Sequence, residues 1–125
     1  TNSVPGSRRV LIVEDEALIA MELIDMLKDA GYEVVGPAGS VGSALELLKE
    51  EGCDAAILDV NLGNESAAPV AQVLAERGTP FLTVSGYGSA QRPLEFSSAP
   101  HLNKPLRSER LVRTLQSCFS AHQQQ

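Results

Sequence analysis

Short aliphatic runs alternate with helix-period segments along the whole chain, and that alternation limits the fold more than any other feature. Arg9-Val10-Leu11-Ile12-Val13 is the first run and Tyr32-Glu33-Val34-Val35 the second, stopped by Gly36-Pro37. Ala55-Ala56-Ile57-Leu58 is the third and Pro80-Phe81-Leu82-Thr83-Val84 the fourth. His101-Leu102-Asn103 is a short fifth. Runs of this length without polar alternation read as strands buried on both faces. Between them, Ala17, Leu18, Met21, Ile24 and Leu27 recur at helical spacing, with Glu22, Asp25 and Lys28 opposite. Gly31 closes that helix. A second helix starts at Ser40 or Ser43 and runs to Gly52. A third is capped by Ser66, accepts Pro69 in its first turn and ends at Gly78. The 89–99 stretch, with Pro93 and several serines, predicts only a weak fourth helix. The last helix spans about Ser108 to Phe119. Gly63-Asn64-Glu65-Ser66 is expected to be a loop. Five βα units in strict alternation imply a parallel sheet covered on both faces by right-handed crossovers, an α/β three-layer sandwich.

A length of 125 residues is enough for one domain with a core of its own. Residues 1–8 are expected to be a flexible lead-in, 9–121 the domain and 122–125 a disordered tail. The chain carries a net charge of −6, with a pI near 4.8, which argues against a nucleic-acid or anionic-membrane surface. No apolar run approaches the length of a membrane span, and the polar start is not a secretory signal. Cys53 and Cys118 stand far apart without metal-ligand spacing, as in a chain of the reducing cytoplasm. The absence of an initial Met leans toward a module of something longer.

In parallel α/β sheets, chemistry collects beyond the carboxyl ends of the strands. The first run ends in Glu14 and Asp15, the third in Asp59, the fourth in Ser85 and the fifth in Lys104. Three carboxylates, a hydroxyl and an ammonium would then share one shallow pocket. Gathering three like charges is costly unless a cation joins them. A hard divalent ion completed by water and phosphate oxygens, Mg²⁺, suits such a donor set. Lys104 is a compact charge for Asp59 or a phosphoryl oxygen, and Ser85 is a hydrogen-bond donor for another. This is a layout for phosphoryl transfer onto Asp59 as the nucleophile. Each residue alone has a plainer use: Asp59 in a turn, Glu14-Asp15-Glu16 as the acidic first turn of a helix, Lys104 at the surface. Their register relative to the strands is what favours the chemical reading. Glu16 is expected only to cap.

These residues give the chain a clear resemblance to the receiver domains of two-component response regulators. It rests on Glu14-Asp15 after Val10–Val13, Asp59 in Ile57-Leu58-Asp59-Val60, Ser85 after the fourth strand, and Lys104-Pro105. It covers about residues 8–121. The resemblance implies a flavodoxin-like (βα)5 sandwich with strand order 2-1-3-4-5. It implies Asp59 as phosphoacceptor and Mg²⁺ held by Glu14, Asp15, Asp59 and the backbone carbonyl of Asn61. Ser85 and Lys104 fill the hydroxyl and lysine positions, and the bond to Pro105 is expected to be cis. A histidine kinase or histidine phosphotransfer protein is the implied donor. The downstream target would meet the face built from the fourth helix, fifth strand and fifth helix.

The sequence departs from the family pattern at two places. Receivers commonly carry Tyr or Phe shortly before the lysine, and here His101 holds that position as a packing group rather than a proton carrier. Ser85-Gly86-Tyr87-Gly88 resembles the Thr-Gly-Tyr-type motif of a subgroup, common among alphaproteobacteria, that works with HWE-type histidine kinases. Tyr87 is thus a second switch candidate. Two rival functions stand beside this one. An aspartyl-phosphate-forming phosphatase for small molecules would need a general acid two residues after Asp59, where the chain has Asn61. A receiver-like binding module that never takes phosphate would have no use for the intact acidic pair and lysine. The expectation is a switch, not an enzyme.

Overall fold

A computed structural model describes residues 8–63, 65–86 and 99–123. Its centre is a parallel sheet of strands β1 (Arg9–Val13), β2 (Glu33–Ala38), β3 (Ala55–Asp59), β6 (Phe81–Ser85) and β7 (His101–Asn103). The sheet order is β2-β1-β3-β6-β7, so its five strands taken in sequence stand as 2-1-3-4-5, as expected. Register runs from Val10 opposite Ala55 to Val13 opposite Leu58, and from Ala56 opposite Phe81 to Asp59 opposite Val84. Every residue of β3 and β6 is buried.

Because successive strand side chains point to opposite faces, the sheet divides its aliphatic residues between two cores. Leu11, Val13, Ala56 and Leu58 pack under helices α2 (Val41–Glu50) and α3 (Ala68–Glu76), against Leu48, Val70 and Leu74. Val10, Ile12, Ile57 and Leu82 pack under α1 (Ala17–Asp29) and α4 (Ser108–Gln123), against Leu23, Leu27, Leu111 and Leu115. This gives three layers. Ile57 is fully buried between them. Ile57→Val is expected to cost about 1 kcal/mol, read as a lower urea midpoint with an unchanged slope.

The helices start and pack by local rules that the sequence shows only in part. Ser40 caps α2, its Oγ accepting the Ser43 N–H at 3.1 Å. Ala67, not Ser66, occupies the cap position of α3, though Ser66 Oγ still accepts the Ala68 N–H at 3.1 Å. In α1 the buried residues are Ala20, Leu23 and Leu27, whereas Leu18 and Met21 are 78% and 60% exposed. The expected stripe through Leu18 and Met21 is therefore on the wrong side of the helix. At about 100° per residue both lie well round from Leu23, and the sheet takes the face where small Ala20 permits close approach. The expected loop at 63–66 is also corrected. Asn61–Leu62 (β4) and Glu65–Ser66 (β5) pair antiparallel in a small hairpin, too short to leave a periodic signal. The expected fourth helix over 89–99 and Tyr87 lie outside the described residues, apart from Ala99.

Gly36-Pro37 does not stop β2, contrary to the sequence expectation. The strand passes through both residues to Ala38, and the register shifts: two steps from Leu11 to Val13 match three from Val35 to Ala38. An edge strand tolerates proline at such a bulge because no second neighbour needs its missing donor. Gly36 has φ 95°, and a Cβ there would lie 3.0 Å from both the Ile12 carbonyl and the Ala38 amide. Beyond the bulge, the Ala38 carbonyl accepts the Glu14 N–H at 2.9 Å. The distortion thus fixes the backbone of the first acidic residue.

Candidate functional site

At the carboxyl edge of the sheet, two strand ends deliver three carboxylates to one place. Glu14 follows β1 and is 3% exposed, and Asp59 ends β3 and is 4% exposed. Asp15 is exposed at the rim. One carboxylate oxygen from each of the three lies within 4.8 Å of the others. The turn at Gly63 closes over the same corner: a Cβ there would sit 3.5 Å from Asp15 Oδ2. Asn61 begins β4, paired with Ser66, two residues beyond Asp59.

Lys104 enters this group from the end of β7. Its Nζ donates to Asp59 Oδ2 at 3.0 Å and lies 3.1 Å from Glu14 Oε1. Glu16 Oε1, mostly exposed, is 3.9 Å away. Glu16 holds the cap position of α1, but its side chain makes no cap hydrogen bond. Its reach toward Lys104 is therefore a feature that the capping expectation missed. The Lys104–Pro105 peptide is cis. Burial alone would lower the lysine's pKa, but the hydrogen bonds and charges of Asp59 and Glu14 outweigh it and raise it above the ordinary value. Glu14 moves further. Burial pushes its carboxyl up to about 7 and the Asp59 charge adds to this, against the opposing pull of the Glu16 amide and Lys104.

The two oxygens of Glu14 are unequally satisfied. Oε2 accepts the Glu16 N–H at 3.1 Å. Oε1, though close to the Lys104 charge, is buried without a hydrogen-bond donor in good geometry. A buried oxygen left short of a donor, beside two further carboxylates, suits a hard divalent cation with oxygen ligands. Glu14, Asp15 and Asp59 are the residues that could hold it.

The fourth strand end brings in the hydroxyl. Ser85 is 1% exposed. Its Oγ lies 2.8 Å from His101 Nε2 and 3.4 Å from Asn103 Oδ1, and its carbonyl accepts the Lys104 N–H at 2.8 Å. The other imidazole nitrogen, Nδ1, is 2.7 Å from Thr83 Oγ1. His101 is thus hydrogen-bonded at both nitrogens, more than a packing group. Sequence reasoning missed Thr83 and Asn103. A signal did exist: Thr83 and Ser85 are two apart on one strand face, and His101 and Asn103 stand opposite them in β7.

The sequence profile of the response regulator receiver domain matches residues 10–116. The chain belongs to that family. Among similar proteins, the transcriptional regulatory protein PdtaR of Mycobacterium tuberculosis is 32% identical over 117 residues, covering 90% of this chain and 57% of PdtaR. The chain spans about half the length of the curated relatives it matches. The solution structure of SdrG from Sphingomonas melonis Fr1 is 39% identical with a TM-score of 0.81, covering 90% of this receiver and 97% of SdrG. SdrG in its BeF3-activated conformation, from Pseudomonas melonis Fr1, gives a TM-score of 0.74 at 39% identity, covering 86% and 92%. The receiver fold therefore accounts for nearly the whole of this chain, including all the strand ends that form the acidic pocket.

Proposed function

We propose that this receiver domain accepts a phosphoryl group on Asp59 and switches partner binding in response. The observation that carries the reading is Lys104 Nζ set between Asp59 Oδ2 at 3.0 Å and Glu14 Oε1 at 3.1 Å, beside Asp15. The donor is the phosphohistidine of a histidine kinase or histidine phosphotransfer protein. An Asp59 oxygen forms the new P–O bond as the P–N bond to the donor breaks, and the departing imidazole takes up a proton. Lys104 pairs with the phosphoryl oxygens and Ser85 donates its hydroxyl to one of them. Mg²⁺, held by Glu14, Asp15, Asp59 and the Asn61 backbone carbonyl, supplies charge neutralisation during transfer.

The acyl phosphate adds about −1.5 to −2 charge. Driving the domain from 1:99 to 99:1 in favour of the active form needs about 5.5 kcal/mol of preference. The target meets the face that includes β7 and α4. The chain works as a stoichiometric switch rather than a turnover enzyme. Free thiols at Cys53 and Cys118 suit the reducing cytoplasm. Among the described residues, no helix is long and apolar enough to cross a membrane.

Incubation with Mg²⁺ and acetyl phosphate is expected to add the mass of one phosphoryl group. Asp59→Asn, or chelation of the metal, abolishes the gain. A wild-type protein that gains no mass, or an Asp59→Asn variant that still gains it, overturns the reading.

A further inference from the structure

Asp15 stands exposed at the rim of the acidic pocket, and two stretches of backbone wall it. A Cβ at Gly39, between β2 and α2, would lie 3.9 Å from the Asp15 Cα. A Cβ at Gly63, at the turn of the β4–β5 hairpin, would lie 3.5 Å from Asp15 Oδ2. Both are ordinary contact distances. One wall meets the backbone of Asp15 and the other its carboxylate.

The two walls are joined to each other. Glu65 lies in β5, and its Oε1 accepts the Val41 N–H at 3.2 Å across 24 positions of sequence. Val41 is the first residue of α2, so its N–H is one of those that a helix leaves without an internal partner. Ser40, the local cap, is engaged with the Ser43 N–H. The first turn of α2 holds no acidic residue. The anion that a helix start favours therefore arrives from the hairpin. Beneath this bond, Leu62 and Val41 pack into the same core. The chain from Gly39 to Val41 and the hairpin from Glu65 back to Gly63 thus close around Asp15, with the Glu65 carboxylate as the fastening.

We propose that Glu65 is a positioning residue for the metal corner: its carboxylate clasps the hairpin to the start of α2 and so holds Asp15 ready for the divalent cation. The inference rests on the reading of Glu14, Asp15 and Asp59 as the Mg²⁺ site. Glu65 acts through Asp15 and is not itself a ligand. Asp15 is the exposed member of the three carboxylates, so it has the most rotamer freedom to lose on binding. A hairpin with strands of two residues is a weak hold by itself. Apparent affinity scales with the fraction of molecules in which the hairpin is docked. The coupling is reciprocal, so Mg²⁺ also tightens the Glu65–Val41 bond.

The test compares wild type, Glu65→Gln and Glu65→Ala as intact chains, with Mg²⁺ alone as the probe. Calorimetric titration is run at about pH 8, above the Glu14 pKa of about 7. Glu65→Ala is expected to bind Mg²⁺ about 2-fold to 5-fold more weakly than wild type, with an unchanged circular dichroism spectrum in chelator. Glu65→Gln keeps an oxygen for the Val41 N–H and is expected to bind more tightly than Glu65→Ala. In NMR spectra, the Val41 amide proton is expected to move downfield as Mg²⁺ saturates the wild type and to stay near its metal-free position in Glu65→Ala. Equal affinity in wild type and Glu65→Ala overturns the inference and leaves the acidic pocket as the Mg²⁺ site. Equally weakened binding in the two variants also overturns it, because the charge of Glu65 then acts without the clasp. A wild type that binds no Mg²⁺ overturns both readings. If Glu65→Ala does not fold, a wild-type Val41 amide proton unmoved by saturating Mg²⁺ overturns the inference.

Discussion

Lys104→Met is expected to lower the metal-free stability of this receiver by about 3–5 kcal/mol near neutral pH. The lysine side chain is 13% exposed and lies between the buried side chains of Glu14 and Asp59. Removing it takes away the ammonium that lies between these two buried carboxylates. An exposed ion pair would cost only about 0–1 kcal/mol when broken, so the size of the loss distinguishes a buried countercharge from a surface lysine. Methionine preserves most of the stem volume, which keeps packing loss small. Two treatments are expected to reverse much of the deficit. Acidification protonates Glu14, and Mg²⁺ supplies positive charge to the same oxygens. Urea unfolding at about pH 8 and about pH 5.5, with chelator or with Mg²⁺, checks all of this. A loss unaffected by either treatment would mean that the lysine acts through its packing instead.

Glu14→Gln is expected to act in the opposite direction on stability and to cripple metal binding. The Glu14 carboxyl is raised from 4.5 to about 7, first by burial and then by the charge of Asp59. Between those two values the folded state binds more protons than the unfolded state. Stability from this group is therefore fully present below about pH 4.5 and is lost as pH rises through about 7, by on the order of 3 kcal/mol. Glutamine keeps an oxygen for the Glu16 amide and carries no charge, so the variant loses this slope and is the more stable protein in chelator at about pH 8. Metal binding carries the reverse sign. A proton on Glu14 competes with Mg²⁺, so wild-type affinity falls by up to about tenfold for each pH unit below 7. The variant binds weakly at every pH. Calorimetric Mg²⁺ titrations at about pH 6 and about pH 8, set beside thermal melts of both proteins, test the two signs together.

The parts of this molecule that could be read from sequence share a physical reason. Ala55–Leu58 and Val10–Val13 are aliphatic without interruption because both sheet faces are covered, and the residue at which each run stops is a residue at the sheet edge. That is why Glu14, Asp15, Asp59 and Lys104 could be placed together before their distances were known. The illegible parts depend on longer-range choices. The hairpin at 61–66 has strands of two residues, below any periodic signal. Gly36-Pro37 reads locally as a stop, and only its place at a sheet edge lets the strand continue. The face that α1 buries depends on what the sheet accepts, since the helix offers apolar residues on more than one side. The imidazole bridge requires Thr83 to stand opposite His101, a register set by tertiary packing of a three-residue strand.

The backbone bond from the Lys104 amide to the Ser85 carbonyl, at 2.8 Å, yokes two arms of the pocket. One arm ends in an ammonium that grips Asp59 and the other in a hydroxyl tethered to a ring. Neither strand tip slides without dragging its neighbour. A pull felt at the lysine is thereby delivered through main chain to Ser85 and through its hydroxyl to the imidazole, and the pocket responds as a single mechanical unit.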